Sequence, residues 1–260
     1  MYSCSKPCLF IPNSPFPLIK VTIGTTGIGA VDDIKEIAKY CKENDIWCHI
    51  DAAYAGSACI CPEYRYLLDG IEYANSFNFN PHKWMLVSFD CSVLWIEDRN
   101  QILRSLSINP IYLKNQASDS GSVVDYRDWQ IPLGRRFRAL KLWMTFRMYG
   151  TTGLQAYIRK HVAFGDRFLD LVSKDDRFEI LFKPLLSMLC FRLKNTSNEK
   201  NKALVDKINQ SGKFYLIGTL FGDTYVIRMV IGATATEILH VDSCWAFIQL
   251  CAEQLLSKSD

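Results

Sequence analysis

The sequence lacks the features that mark nucleic-acid-binding, membrane and secreted proteins. Its charged residues are scattered without a long basic run, and the formal net charge of +3 is too small to attract nucleic acid or an anionic membrane. No apolar run is long enough to cross a membrane. Residues 1–17 lack the basic start and continuous apolar stretch of a secretory signal. We therefore expect a cytoplasmic protein with no nucleic-acid or membrane partner.

The sequence also lacks paired cysteine motifs for zinc. Cys59 and Cys61 have the wrong spacing for a zinc knuckle, and no matching second pair follows. Most of the 10 cysteines lie in apolar segments, where a free cysteine behaves as a small buried hydrophobe. We expect a reduced protein without a structural metal site.

Apolar residues, at 49% against 22% charged, are plentiful enough for a large core. The patterns predict a strand over Leu18–Gly24, an amphipathic helix over Val31–Asn44 and a second strand over Ile46–Ile50. Such a βαβ unit favours a mainly parallel sheet. Further along, we predict strands over Val87–Ile96 and Phe214–Ile217.

Two polar stretches are interpreted as loops. Asn195–Lys202 is predicted to lie on the surface, and the turn-rich run Asn109–Val124 is typical of a mobile loop that covers a site. Between them, Leu154–Val172 has the spacing of a helix with one apolar face.

A single lysine, Lys83, stands in the otherwise uncharged, partly apolar run from Phe77 to Val87. Apolar surroundings strip water from an ammonium group and favour the neutral amine, which attacks aldehydes. The simpler alternative is a lysine whose stem covers the edge of the core. Taken alone, Lys83 favours that alternative.

An acidic residue, Asp51, ends the apolar stretch Ile46–Ile50 and changes this balance. Ligands of open α/β sheets bind beyond the carboxyl ends of strands, although an aspartate there is also a common turn or cap residue. Pyridoxal phosphate needs both groups, a lysine for its aldehyde and a carboxylate for its ring nitrogen. Lys83 and Asp51 together therefore predict this cofactor.

Three motifs then carry a resemblance to a known family. His49–Gly56 (HIDAAYAG), Asn80–Lys83 (NPHK) and Asp128–Arg138 (DWQIPLGRRFR) resemble the aromatic L-amino-acid decarboxylases, which are group II pyridoxal-phosphate decarboxylases. The similarity extends from about Thr22 to the C-terminus.

The resemblance implies an α/β fold of the aspartate aminotransferase type, fold type I. The expected division is a segment at 1–20 unlike the family, a partial cofactor-binding large domain at 21–150 with its catalytic loop at about 109–124, and a small α/β domain at 151–260. Family members are homodimers.

Site residues also follow from the resemblance. Lys83 would form the Schiff base with pyridoxal 5'-phosphate, Asp51 would hold the ring nitrogen, and Ala53 would lie against the ring. Further cofactor contacts would come from Thr26, whose alternative is a turn hydroxyl, from Asn80, and from His82, whose alternative is a core histidine.

Tyr112 matches the loop tyrosine that protonates the substrate carbon in related decarboxylases. Its presence favours decarboxylation to an amine over aldehyde formation, since many aldehyde synthases carry phenylalanine there; others keep the tyrosine, so that reaction stays open. Arg135 is expected near the active site. Ser187 matches a position where serine accompanies phenolic substrates, which favours tyrosine or dopa over tryptophan.

The family's chains are about twice as long, and the part before the Gly24-Thr25-Thr26 turn has no counterpart here. That part supplies phosphate contacts and much of the substrate pocket in relatives. Two hypotheses follow: a decarboxylase by descent, or a truncated, non-catalytic chain that at most pairs with full-length subunits.

Overall fold

The described residues form two four-stranded sheets. A computed structural model describes residues 17–108, 111, 116–120 and 122–257. The strands are β1 Leu18–Thr22, β2 Trp47–Asp51, β3 Ser76–Phe79, β4 Val93–Ile96, β5 Phe178–Ile180, β6 Met188–Leu193, β7 Ile217–Phe221 and β8 Thr224–Val230. The α-helices are α1 Ile34–Glu43, α2 Pro81–Trp84, α3 Arg99–Leu106, α4 Gln116–Asp119, α5 Arg138–Ser173, α6 Asn198–Gln210 and α7 Ile238–Leu256. Short 3₁₀ helices lie at Ala55–Ile60, Pro62–Leu68, Ile71–Tyr73 and Tyr126–Trp129.

The first sheet confirms the expected parallel arrangement. Its order is β1-β2-β3-β4, with β1, β2 and β3 parallel and β4 antiparallel to β3. Helix α1 begins where the Asp33 side chain accepts the Glu36 N–H, and it buries Ile34, Ala38 and Cys41 against the sheet. Strands β2 and β3 therefore end side by side, which brings the segments that follow them together.

Strand β1 crosses the predicted boundary between a segment at 1–20 and the large domain, and that boundary stays a prediction. Strand β1 begins at Leu18 and pairs with β2 from Leu18↔Trp47 to Thr22↔Asp51. The boundary would cut this strand, because the β-branched run that forms it begins before residue 20.

The predicted strand over Val87–Ile96 is shorter than expected, since only its end enters the sheet. Arg138 Nη2 lies 2.8 Å from an Asp90 carboxylate oxygen, and Lys141 Nζ donates to the Ser88 carbonyl at 2.8 Å. Through these bonds, the residues before β4 contact α5 instead of pairing with a neighbouring strand.

The second sheet is antiparallel, with order β5-β6-β8-β7. Strand β6 is buried at every position, and its core contains Phe168, Phe191 and Trp245 with the rings in edge or tilted contact. Helix α5 is interrupted at Gly150, whose φ of 62° suits glycine. This interruption lies at the predicted domain division, which stays a prediction.

Two predictions in the second half are wrong in part. Asn195–Lys202 is a loop only as far as Ser197, which caps α6 by accepting the Lys200 N–H, and the polar residues from Asn198 onward are helical. The predicted strand Phe214–Ile217 begins only at Ile217, because the Asn209 side chain bonds both backbone groups of Leu216.

All eight cysteines in the described part of the chain are free, and seven are buried. Within that part, no helix has the length and apolar character needed to cross a membrane.

Asp175 joins the end of α5 to β5 and α7. Its carboxylate accepts two bonds from the Arg177 guanidinium, at 2.9 and 2.6 Å, and one from Gln249 at 2.8 Å, while its side chain is only 9% exposed. The bonds from Arg177 lower the pKa of Asp175 to about 2, although burial opposes them. The folded state therefore favours the ionised carboxylate.

We expect Asp175→Asn to lower the free energy of unfolding at pH 7 by about 2 kcal/mol, because the pKa is about 3.9 in the unfolded chain and lower in the folded chain. This stabilisation is present above the unfolded pKa and is lost as the pH falls through the folded pKa. The difference from wild type should shrink between about pH 4 and pH 2. Urea unfolding at several pH values measures it.

The exposed neighbour Asp176 offers the matched control. If Asp176→Asn reduces stability as much as Asp175→Asn, or if the difference is independent of pH, the proposed pairing energy is wrong.

Candidate active site

The lysine turn, Asn80–Met85, follows β3 and contains helix α2. Pro81 stands at the first helical position, where its fixed φ and missing N–H are tolerated, and the Lys83 N–H donates to the Asn80 carbonyl at 2.9 Å. Trp84 and Met85 point into the core, at 1% and 4% exposure. The Lys83 side chain is exposed, so the expectation that apolar neighbours would dehydrate it is wrong for this structure.

A chain of hydrogen bonds connects Asp51 to Lys83. The Ala53 N–H donates to Asp51 Oδ1 at 3.0 Å, and the Asn80 N–H donates to the Ala53 carbonyl at 3.2 Å. Lys83 bonds Asn80 in turn. The ends of β2 and β3 thus hold these four predicted site residues in one hydrogen-bonded segment.

Asp51 pairs with Lys20, whose Nζ lies 3.0 Å from its Oδ2. Burial alone would raise the pKa of Asp51, but the bonds from Lys20 and from the Ala53 N–H outweigh burial, and the pKa is lowered. The group is therefore an anion at neutral pH, as a partner for a cationic ring nitrogen must be.

His49 lies on the same strand as Asp51, and the sequence analysis does not identify it as a site residue. Its ring nitrogens lie 2.8 Å from Ser76 Oγ and 2.9 Å from Asn78 Oδ1. Burial lowers the pKa of His49, so the ring is neutral at pH 7 and bonds both neighbours. The sequence signal for His49 was its position as the first residue of the motif His49–Gly56, which also contains Asp51.

Lys83 lines a cavity of about 270 Å³, which we call the lysine cavity. Of the predicted residues, Thr26 shares it with Lys83. Its walls come from both halves of the chain: Gly24, Thr25, Thr26, Tyr54, Lys83, Trp84, Met188, Arg228, Val230 and Gly232.

Arg228 is a cavity residue that the sequence analysis missed. Its Nε is buried and has no hydrogen-bond partner in the described part of the chain. The signal was present, since an arginine stands inside the apolar strand β8. A partly buried guanidinium beside a cavity is suited to bind a carboxylate or a phosphate.

Ser187 lies behind the cavity wall rather than in it. It is fully buried, and its Oγ lies 2.9 Å from the Tyr54 hydroxyl. Burial raises the pKa of Tyr54 to about 12, so the hydroxyl stays protonated and can donate. Ser187 is therefore connected to the cavity only indirectly, by its hydrogen bond to Tyr54, which lines it.

The other predicted site residues do not line the lysine cavity. His82 faces the backbone of Cys91, with Nδ1 at 3.0 Å from the nitrogen and 2.7 Å from the oxygen, and a single tautomer serves one of these bonds. Arg135 lines a separate cavity of about 690 Å³ and lies over the Tyr126 ring at 5.2 Å.

Tyr112 lies outside the described residues, as do six other residues of the predicted catalytic loop at 109–124. The described part of that loop contains α4, Gln116–Asp119.

Comparison with known proteins decides the family. Residues 13–194 match the pyridoxal-dependent decarboxylase conserved domain. The chain belongs to this family. Family members depend on pyridoxal phosphate, and the fold is that of the fold type I decarboxylases.

Three relatives, two decarboxylases and one aldehyde synthase, show the extent of the similarity. The chain is 52% identical over 245 residues to tyrosine decarboxylase 2 of Narcissus pseudonarcissus, covering 92% of this chain and 49% of the relative. It is 50% identical over 250 residues to tryptophan decarboxylase 2 of Oryza sativa subsp. japonica, covering 94% and 50%. It is 49% identical over 242 residues to phenylacetaldehyde synthase of Arabidopsis thaliana, covering 91% and 49%. The chain spans about half the length of these relatives.

A solved structure of this decarboxylase family has the same fold. The crystal structure of Oryza sativa TDC with PLP and tryptamine superposes with a TM-score of 0.89 at 42% identity, covering 92% of this chain and 51% of that one.

The residues of this member of the pyridoxal-dependent decarboxylase family fit the cofactor chemically. An exposed amine at Lys83 and an anion at Asp51 belong to one hydrogen-bonded segment. Asn80 Oδ1 is buried without a hydrogen-bond partner in the described part of the chain, which leaves an acceptor for a bound molecule. In that part, no cluster of three or more ligating side chains could hold a metal ion.

Proposed function

We propose that this chain carries the catalytic lysine of a decarboxylase acting on aromatic L-amino acids. The hydrogen-bonded segment that links Asp51 to Lys83 at the lysine cavity supports this proposal most directly. When bound, pyridoxal phosphate withdraws electrons from the substrate α-carbon as carbon dioxide leaves. The product is the corresponding amine.

Each residue has a defined task in this proposal. Lys83 supplies the amine that binds the cofactor aldehyde covalently, Asp51 keeps the ring nitrogen protonated, and Ala53 is small enough to lie against the ring. Asn80 and Thr26 contribute polar contacts. Tyr112 delivers a proton to the substrate carbon, and His82 supports the cofactor.

The cavity chemistry supports an aromatic amino acid as substrate. Tyr54 and Trp84 form a stacked pair with centroids 5.1 Å apart, and Met188 and Val230 add apolar surface. Arg228 supplies a cation suited to the substrate carboxylate. Ser187, bonded to Tyr54, places a polar pair behind the aromatic wall and favours tyrosine or dopa.

The second candidate is a non-catalytic chain that pairs with other subunits. Helix α5 exposes large apolar side chains before Gly150, including Trp143 at 59% and Met148 at 78%. Exposed apolar surface of this kind marks interaction sites. We propose that this face contributes to a homodimer or to pairing with a longer subunit.

One preparation separates these candidates. The purified chain is incubated with pyridoxal phosphate, and visible absorption, carbon dioxide, amine and aldehyde are measured with tyrosine, dopa or tryptophan. A decarboxylase turns yellow and releases amine and carbon dioxide in equal amounts. A colourless chain that co-elutes with a longer decarboxylase supports the second candidate, and aldehyde formation with oxygen uptake indicates an aldehyde synthase.

Ser187→Gly tests the proposed substrate preference. Without the hydroxyl, Tyr54 loses its partner and the wall gains space, so we expect the ratio of kcat/KM for tyrosine over tryptophan to fall about 10-fold. Ser211→Gly, at an exposed position outside the cavity, is the control. An unchanged ratio in Ser187→Gly would contradict the assignment.

A further inference from the structure

His161 is a buried titratable residue that the proposed chemistry does not use. It lies on α5 with no exposed surface, at the spacing of the apolar residues Leu154, Ile158 and Phe168. Burying an imidazole is unfavourable unless its nitrogens are satisfied. Its partners should therefore explain its presence.

The first partner is Trp84, the neighbour of Lys83. The Trp84 indole N–H donates to His161 Nδ1 at 3.0 Å, and the two ring planes are within 13° of parallel. Since Nδ1 accepts this bond, the ring proton lies on Nε2. Burial lowers the pKa of His161, which keeps the ring neutral, and Nε2 has no hydrogen-bond partner among the described residues.

The second set of contacts anchors His161 to the opposite wall of the cavity. The Tyr157 ring meets the imidazole edge-on, with centroids 4.3 Å apart, and the Tyr157 hydroxyl donates to the Gly232 carbonyl at 2.9 Å. Gly232 and Trp84 both line the lysine cavity. His161 thus connects the lysine turn to the segment that follows β8.

We propose that His161 is a positioning residue for Lys83, acting through the indole of Trp84. The hydrogen bond fixes the orientation of Trp84, and Trp84 is the last residue of the short helix that carries Lys83. A single-turn helix has little stability of its own, so its orientation depends on such a tertiary bond. The role in cofactor attachment rests on the proposed function, whereas the role in holding the lysine turn does not.

Three variants test this role. His161→Leu removes the acceptor at similar volume, His161→Asn restores an acceptor near the Nδ1 position, and Trp84→Phe removes the donor. His240→Leu is the control, because it removes a capping histidine of α7 without touching Trp84.

The first measurement is the Trp84 indole N–H signal in 15N-tryptophan-labelled chain, assigned by its loss in Trp84→Phe. We expect His161→Leu to shift this signal and to increase hydrogen exchange of the lysine turn about 10-fold, with His161→Asn closer to wild type. His240→Leu should change neither. An unchanged signal or unchanged exchange in His161→Leu would overturn the proposal.

The second measurement is the initial rate at which pyridoxal phosphate becomes trapped on Lys83 by borohydride. We expect about a 10-fold decrease in His161→Leu, substantial recovery in His161→Asn, and no further loss when His161→Leu is added to Trp84→Phe. Additive losses would show that His161 does not act through Trp84. If the wild-type chain takes no label, the proposed function fails, and exchange of the lysine turn alone decides the role of His161.

Discussion

Replacing Lys83 with alanine is expected to abolish covalent attachment of pyridoxal phosphate and the formation of amine. In the proposed function, the exposed Lys83 amine at the lysine cavity is the nucleophile, and alanine cannot form the bond to the aldehyde. We expect the yellow colour to disappear and amine formation to fall at least about 1,000-fold, as for loss of other covalent nucleophiles. Absorption spectra and product assays at saturating cofactor measure both.

The control for Lys83→Ala is Lys202→Ala, an exposed lysine of α6 that pairs with Asp206. The control should keep both colour and activity. Because the Lys83 side chain is exposed, its loss should leave urea unfolding nearly unchanged. An active Lys83→Ala variant would end the proposed assignment.

The second large effect is expected for Asp51→Asn. The amide keeps an oxygen for the Ala53 N–H but removes the negative charge that holds a protonated ring nitrogen. Removing one member of a buried ion pair costs about 3–5 kcal/mol, which corresponds to a decrease of about 10²–10⁴-fold in rate if the pairing is needed in the transition state. We expect weaker cofactor binding and slower amine formation.

Lys20 makes this experiment more specific. Its ammonium group forms an ion pair with the Asp51 carboxylate, so Asp51→Asn also removes the ion-pair partner of Lys20. Lys20→Met in the chain that keeps Asp51 separates loss of the Asp51 charge from loss of the ion pair, because it removes the same ion pair and retains the anion. The assignment would be contradicted if Lys20→Met and Asp51→Asn reduced activity equally, or if neither did.

The proximity of Asp51 to Lys83 could be predicted from the sequence, because it depends on neighbouring strands. Asp51 ends β2 and Lys83 follows the adjacent parallel strand β3, so the rule that ligands bind beyond the carboxyl ends of strands places both at the same edge of the sheet. The hydrogen bonds through Ala53 and Asn80 agree with that expectation. The exposure of Lys83 was not predictable, because flanking apolar residues do not reveal which way each side chain points.

Residues contributed by distant elements were harder to identify. Arg228 reaches the lysine cavity from β8 and His161 reaches Trp84 from α5, and neither approach is visible from local spacing. Their sequence signal is a polar residue at an otherwise apolar position. Helix α6 was missed for a different reason, since Ser197 acts as a cap and its polar followers resemble a loop.

Borohydride trapping of pyridoxal phosphate on the wild-type chain tests the central claim most directly. After reduction, digestion and mass spectrometry, the account predicts a pyridoxyl group on the peptide that contains Lys83 and on no other lysine at comparable yield. A chain that remains unlabelled at Lys83, while a longer decarboxylase is labelled under the same conditions, would contradict it.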